Sequence, residues 1–242
     1  AAEVLRPKVL VIENVVAVQK DKGRVVEATT ECLEKAKYAF AGRVVNLARV
    51  GVPQRRKRFV LLAVRDEFFD PSQVLDRLSR GLGTHPDRSV RWAIHDLMDR
   101  KADSTFDTSS RANEENARRM RILFETEAYD LSNEHRPLCH QDGDHSYRSV
   151  YGRLHWDRPA QTITTGFGCM GQGRYVHPER ERTLTPHEAA RLQTFPDWFS
   201  FGTKTRRGVL SKLIGNAVPP LVMLRLGREI LQALSKKASG TT

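Results

Sequence analysis

Pro7-Lys-Val-Leu-Val-Ile-Glu-Asn-Val15 contains an unbroken apolar run, Val9 to Ile12, that ends on a carboxylate and an amide. A run of Val, Leu and Ile without polar alternation is the pattern of a strand covered on both faces, as in a parallel sheet flanked by helices. Glu13 then falls at the carboxyl end of that strand. In open α/β sheets this is where ligands bind, so an acid there sits in a partly dry cleft suited to proton chemistry. The plainer alternative is that Glu13-Asn14 opens a turn. Phe59-Val-Leu-Leu-Ala-Val64 is a second fully apolar strand, and together the two runs place the chain in the α/β class.

Between these strands, Val25 to Lys37 carries Val26, Cys32, Leu33 and Ala36 on a polar background and predicts an amphipathic helix crossing over the sheet. Tyr38 to Val50 reads as the next strand and its approach. Gly51-Val-Pro-Gln54 breaks it, and Arg55-Arg-Lys-Arg58 leads directly into the Phe59 strand. A run of cations is in general a solvated turn. Here strand alternation puts Gln54, Arg56 and Arg58 on one face, which points to a directed cluster.

Composition narrows the partners. Among 242 residues, 40 Lys and Arg stand against 29 Asp and Glu, a formal net charge of +11, and a pI near 9.9 favours a polyanion, with nucleic acid the first candidate. Cys32, Cys139 and Cys169 make no disulfide framework, and no apolar run approaches membrane-spanning length. These features predict a soluble cytoplasmic protein with no membrane partner, nucleoid-associated if prokaryotic. The chain starts Ala-Ala-Glu and enters an apolar strand almost at once, which predicts that further sequence precedes it.

From Asp66 to Tyr147 the character changes to an insertion or small second domain, punctuated by Asp70-Pro71, Gly81-Leu-Gly83 and His85-Pro86. Arg111 to Thr126 predicts a charged helix with Ile122, Leu123 and Phe124 as its apolar content. His135, Cys139, His140 and His145 match no paired ligand spacing, so no metal site is predicted. Thr162 to Thr165 reads as a short β segment, and the glycines after it allow close backbone approach. No Gly-x-Gly-x-x-Gly follows a strand and opens a helix, so a complete Rossmann fingerprint is absent. Thr185-Pro-His-Glu188 predicts a capping box and a helix running to about Thr194, stopped by Phe195-Pro196. Leu213-Ile-Gly-Asn-Ala-Val-Pro-Pro220 leads into a helix over Leu221 to Leu234 that packs on a core.

Four blocks now stand in one order: Glu13-Asn14-Val15, Gly51-Val-Pro-Gln-Arg-Arg-Lys-Arg58, Arg158-Pro-Ala-Gln-Thr-Ile-Thr164 and Gly215-Asn-Ala-Val-Pro-Pro220. Arg191-Leu-Gln-Thr-Phe-Pro196 lies between the last two. Together they resemble the cytosine-5 DNA methyltransferases from motif VI through motif X. The resemblance implies part of an S-adenosylmethionine-dependent methyltransferase sheet domain with a smaller, partly β target-recognition lobe. The implied boundaries are 1–75 for the second half of the catalytic domain, 76–183 for the lobe, and 184–242 for a return to the catalytic domain.

The resemblance also implies roles. In this family a cysteine thiolate attacks carbon-6 of a cytosine flipped out of duplex DNA, and flipping is needed because the reacting ring atoms are stacked inside the duplex. Glu13 is implied to hold the ring's nitrogen-3 and amino group, and Arg58 its carbonyl oxygen. Arg56 and Gln54 would support the pocket or contact backbone phosphates. Asn216, Ala217 and Val218 are implied to close over S-adenosylmethionine. Asn14, Arg148, Arg153, Arg158 and Arg174 are the remaining candidates for contact with substrate DNA.

The departures are as informative. The family's glycine cofactor loop and its Pro-Cys nucleophile precede motif VI, whereas Cys32, Cys139 and Cys169 follow Glu31, Leu138 and Gly168. The reading is therefore the carboxyl-terminal portion of a methyltransferase, or one subunit of a split enzyme, inactive alone and partnered by the upstream half. A non-catalytic DNA-binding or regulatory homologue is the alternative, and an RNA-directed relative a third. The target sequence depends on loop geometry that no motif here predicts.

Overall fold

A computed structural model describes residues 2–65, 68–81, 88–141, 149–202 and 205–238. His145 and Arg148, and the turn residues Gly83, His85 and Pro86, lie outside the described residues. The helices are α1 (Ala2–Leu5), α2 (Val25–Lys35), α3 (Pro71–Arg80), α4 (Val90–Ile94), α5 (Glu114–Glu125), α6 (Pro186–Leu192), α7 (Arg207–Asn216) and α8 (Pro220–Ala238). The strands are β1 (Val9–Asn14), β2 (Tyr38–Asn46), β3 (Gln54–Arg55), β4 (Lys57–Arg65) and β5 (Ala160–Gln161). The chain forms two compact units. The first is Ala1–Gly51, Arg56–Pro86 and Pro220–Thr242, and the second is Val52–Arg55 with Asp87–Pro219.

The first unit is built on a three-stranded sheet of order β1-β4-β2. Both pairings are antiparallel, so the parallel sheet expected from the apolar runs is not what these strands form. The run that is covered on both faces is β4, where every residue from Phe59 to Val64 is buried. Alternation turns Phe59, Leu61 and Ala63 toward Leu33 of α2 and Tyr38. Val60, Leu62 and Val64 therefore face the other way. Helix α3 packs on β2 and β4, and α8 packs on α3. β1 has the same composition but lies at the edge of the described sheet, and all six of its residues are only half-buried. Composition cannot separate a central strand from its neighbour, because the pairing partners lie elsewhere in the chain.

Helix α2 matches its periodicity, although Leu33 alone is buried and Cys32 is exposed. Asp70-Pro71, read as a break, is a helix start. The Asp70 carboxylate accepts from the Ser72 N–H at 2.8 Å, Pro71 fills the first turn, and Val74, Leu75 and Leu78 pack inward. The expected boundary at residue 75 thus cuts through α3. Gly51 closes the turn after β2 with φ +89°, and a Cβ there would lie 3.0 Å from Nη2 of Arg225 on α8.

The second unit is held by one large core, to which α4 contributes Val90 and Ile94, α6 Leu192, α7 Leu210 and Ile214, and the irregular chain Leu154, Ile163, Phe167 and Tyr175. A second cluster gathers Met120 and Leu123 of α5 with Tyr151, Met170 and Val176. Its strand content is slight: β3 and β5 pair in parallel over two residues each, so the β segment falls on Ala160–Gln161, not on Thr162–Thr165. Residues 184–219 also belong to this unit, because α6 and α7 bury their apolar faces in its core; the chain re-enters the first unit only at Pro220.

Helix α6 begins with the capping box read from Thr185 and Glu188. It ends in a Schellman turn: Thr194 N–H donates to the Arg191 carbonyl and Phe195 N–H to the Ala190 carbonyl, both at 2.9 Å. Thr194 takes φ +66° to make that turn. Helix α7 stops before Ala217-Val218-Pro219-Pro220, since a residue preceding proline is driven out of the α region. The stretch Arg207–Lys236 is long and apolar enough to cross a membrane by length and composition. It is nevertheless broken at 217–219, and α8 is tied to α3 by an Arg77–Glu229 ion pair at 2.6 Å.

Candidate active site

In the first unit the register of β1 on β4 places Glu13 opposite Val60. Arg58, two residues before Val60, shares that face and becomes the diagonal neighbour of Glu13 across the strand pair. Arg58 Nε stands 2.8 Å from Glu13 Oε1, with the two side chains 15% and 21% exposed. The pair is thus shielded from bulk water yet reachable. Arg58 also donates from Nη1 to its neighbour's carbonyl on Lys57 at 2.9 Å, which fixes the plane of the guanidinium. Asn14 ends β1 by accepting the Val15 N–H on Oδ1 at 2.8 Å, so its amide shapes the strand exit.

The alternation read from the sequence is present: Gln54 and Arg56 are buried and Arg58 half-buried, while Arg55 and Lys57 face solvent. The three do not share one environment, however, because Gln54 belongs to the second unit and Arg56 and Arg58 to the first. Gln54 has no exposed surface. Its Oε1 accepts from the Ile163 N–H at 3.1 Å, and its Nε2 donates to the Leu192 carbonyl at 3.0 Å and to Gln193 Oε1 at 2.8 Å. A side chain so enclosed does not reach a phosphate, which corrects the expectation that Gln54 contacts DNA.

The cations expected to face DNA divide in the same way. Arg153 is buried, lies over the rings of Phe124 and Tyr129 at 4.7 and 4.5 Å, and donates from Nη2 to the Glu127 carbonyl at 3.3 Å. Arg174 donates from Nη1 to the carbonyls of Tyr129 and Arg153 at 2.8 and 3.0 Å and pairs with Asp130. Both guanidinium groups therefore brace the 127–130 turn and are not presented as phosphate contacts. Arg158 is exposed.

Arg182, His177 and His187, which the sequence reading left without a role, join the capping-box residues Thr185 and Glu188 in a buried polar cluster around α6. Arg182 grips Glu188 with both terminal nitrogens at 2.8 and 2.7 Å, and the Thr185 N–H donates to the same carboxylate at 2.8 Å. Burial pushes the Glu188 carboxyl up, and the Arg182 hydrogen bonds and charge more than offset it, so its pKa ends below the usual range. His177 lies 3.5 Å from Glu188 and is fully buried; burial lowers its pKa from 6.5 to about 4. His187 on α6 sits between Asp107 at 2.8 Å and Asp197 at 3.2 Å and stacks on Phe106. Beyond the Thr185–Glu188 capping box no local motif announces these partners, and His187 and Asp107 lie 80 residues apart.

Asn216 is exposed at the last turn of α7, and Ala217 and Val218 follow half-buried in extended backbone. Their position is set by Gly215, where a Cβ would fall 2.3 Å from the Thr165 nitrogen. This close approach joins the Gly215 block to the Arg158–Thr164 block inside one unit.

The model of the C-5 cytosine-specific DNA methylases matches residues 2–232. The chain belongs to that family. It is 43% identical over 217 residues to the type II methyltransferase M1.BsuMI of Bacillus subtilis (strain 168), covering 90% of this chain and 49% of that one. It is 31% identical over 249 residues to the type II methylase M.HgiDII of Herpetosiphon aurantiacus, covering 98% of this chain and 67% of that one. The chain thus spans about half the length of its Bacillus subtilis relative. In fold it is similar to the S. pombe Dnmt2 methyltransferase, with a TM-score of 0.64 at 16% identity over 95% of this chain and 68% of that one. The methylase resemblance drawn from the four blocks is therefore correct at the level of family and fold.

Proposed function

We propose that this chain is the base-holding and recognition portion of a DNA (cytosine-5)-methyltransferase, acting on a cytosine flipped out of duplex DNA. The observation that carries the reading is the Glu13–Arg58 pair, 2.8 Å apart at the exit of β1. A carboxyl and a guanidinium fixed side by side offer complementary groups to one edge of a cytosine: Glu13 to nitrogen-3 and the amino group, Arg58 to the carbonyl oxygen. Pure DNA binding needs no such pair, which favours the enzyme over a non-catalytic homologue.

As a nucleophile adds to carbon-6, electron density moves toward nitrogen-3. A carboxyl that shares a proton there stabilises the developing charge, and Arg58 keeps that carboxyl in place. Arg56, buried behind the same strand entry, supports the pocket wall. The residues at 216–218 fit one side of S-adenosylmethionine, which supplies the methyl group: Asn216 offers an exposed amide, and Ala217 and Val218 offer small half-buried surfaces. The thiolate is proposed to come from sequence outside this chain, because Cys32, Cys139 and Cys169 are all exposed and none follows a proline.

The test is transfer of labelled methyl to duplex DNA, and in parallel to transfer RNA, by this chain with and without a polypeptide carrying the glycine loop and the Pro-Cys strand. Transfer to DNA only in the complemented mixture is expected. Robust transfer by the chain alone would assign the nucleophile to one of its own cysteines and end the divided reading. Transfer to RNA alone would change the substrate.

A further inference from the structure

We infer that Gln54 and Gln193 form a directed amide relay whose task is to position the 216–218 segment, making Gln193 a positioning residue; this rests on the reading that Asn216, Ala217 and Val218 contact S-adenosylmethionine. Both glutamines have no exposed surface. The Ile163 N–H donates to Gln54 Oε1 at 3.1 Å, Gln54 Nε2 donates to Gln193 Oε1 at 2.8 Å, and Gln193 Nε2 donates to the Ile214 carbonyl at 2.7 Å. Rotating either amide by half a turn would set donor against donor or carbonyl against carbonyl, so the direction of the relay is fixed by the backbone groups at its two ends.

Those two ends are the neighbours of a single contact. Ile163 precedes Thr164-Thr165, and Ile214 precedes Gly215, whose Cα packs on the Thr164-Thr165 backbone too closely for a Cβ. The Ile214 carbonyl also accepts the Ala217 N–H at 3.3 Å, the bond that closes α7. One glutamine pair thus sets the depth at which α7 seats on the 163–165 strand exit, and through it the place where Asn216 and Ala217 leave the helix. Removing a donor inside such an enclosed network leaves buried carbonyls without compensation, so its effect concentrates where the lost bond ended.

The variants are Gln193→Glu, followed at alkaline pH so that its carboxyl is ionised and keeps an acceptor for Gln54 without a donor for Ile214, and Gln193→Met, which loses both. Gln54→Met, alone and combined with Gln193→Met, completes a cycle. Backbone hydrogen exchange is followed in the chain itself, and the complemented enzyme gives KM for S-adenosylmethionine and kcat. Gln193→Glu is expected to lower protection at Ala217 by about ten- to a hundredfold while leaving Ile163 and β4 protected. It is also expected to raise KM for S-adenosylmethionine about tenfold or more with kcat within about threefold, since the loss falls on binding. Gln193→Met should lower protection at both ends, and the double variant should cost less than the sum of the singles. Unchanged protection at Ala217 in Gln193→Glu, or a uniform loss across the unit, overturns the relay. Local loss at Ala217 with unchanged KM supports the relay and overturns the cofactor reading of 216–218.

Discussion

Glu13 and Glu188 are the same residue in opposite circumstances. Glu188 side-chain exposure is 4%, and its carboxylate accepts from both terminal nitrogens of Arg182 and from the Thr185 N–H. Glu13 is 21% exposed at a strand exit, held by Arg58. A carboxylate gripped inside the core by both arms of a guanidinium and a backbone N–H is a structural bolt. One that is oriented by a single guanidinium and left reachable keeps capacity for a substrate. The same contrast separates Arg58 from Arg153 and Arg174, whose guanidinium groups are turned inward and donate to carbonyls of the 127–130 turn. Availability of donors and acceptors, more than residue type, marks the site.

The largest effect that would test the contrast is on chemistry at Glu13. Glu13→Gln in the complemented enzyme is expected to lower single-turnover methyl transfer by about 10²–10⁴-fold, with duplex affinity and unfolding midpoint nearly unchanged. Equal losses in affinity and turnover would move Glu13 into the structural class. Glu188→Ala should behave in the reverse way. It leaves Arg182 unpaired against a buried cap and is expected to cost about 3 kcal/mol in denaturant unfolding, while the activity of the remaining folded fraction stays the same. A selective loss of turnover at full stability would remove the distinction.

Acid should reveal the buried cluster before the open pair. His177 is buried with its pKa lowered from 6.5 to about 4, so below pH 6.5 the unfolded chain binds a proton that the folded chain refuses. Stability is therefore complete above that pH and falls toward pH 4, by about 2 kcal/mol at pH 5. Glu188 and Asp107, both held below their usual range, release their contributions only further toward acid. Chemical denaturation from pH 7.5 to 5 should show this slope, and His177→Gln should flatten it. The smallest effect is at the end of α6, where Thr194 holds φ +66°. Thr194→Gly is expected to gain about 1 kcal/mol in the same assay, by removing the left-handed penalty of a β-branched residue.

Much of this was readable in the chain. The capping box at Thr185 and Glu188, the apolar strand 59–64, and the in-and-out alternation of residues 54–58 are local patterns with local causes, and they recur in the structure. Asp70-Pro71 was equally local and was misread, since an aspartate before proline is both a turn signal and a helix cap. Arg153, Arg174 and Gln54 were misassigned for a different reason. Charge and polarity point such side chains toward solvent, whereas these are held by carbonyls and amides 21 to 139 residues away.

Sequence by itself determined the family, most element types and the identity of the acid and the guanidinium that pair at the exit of β1, because spacing, periodicity and motif order are properties of the chain. Tertiary structure alone decided that β4 and not β1 is the covered strand, that residues 184–219 belong with the second unit, and that Gln54 is an internal strut while Glu13 stays open. The physical reason is that a polar group's role is fixed by whether its hydrogen-bonding capacity is already satisfied, and the partners that satisfy it are brought together only by folding.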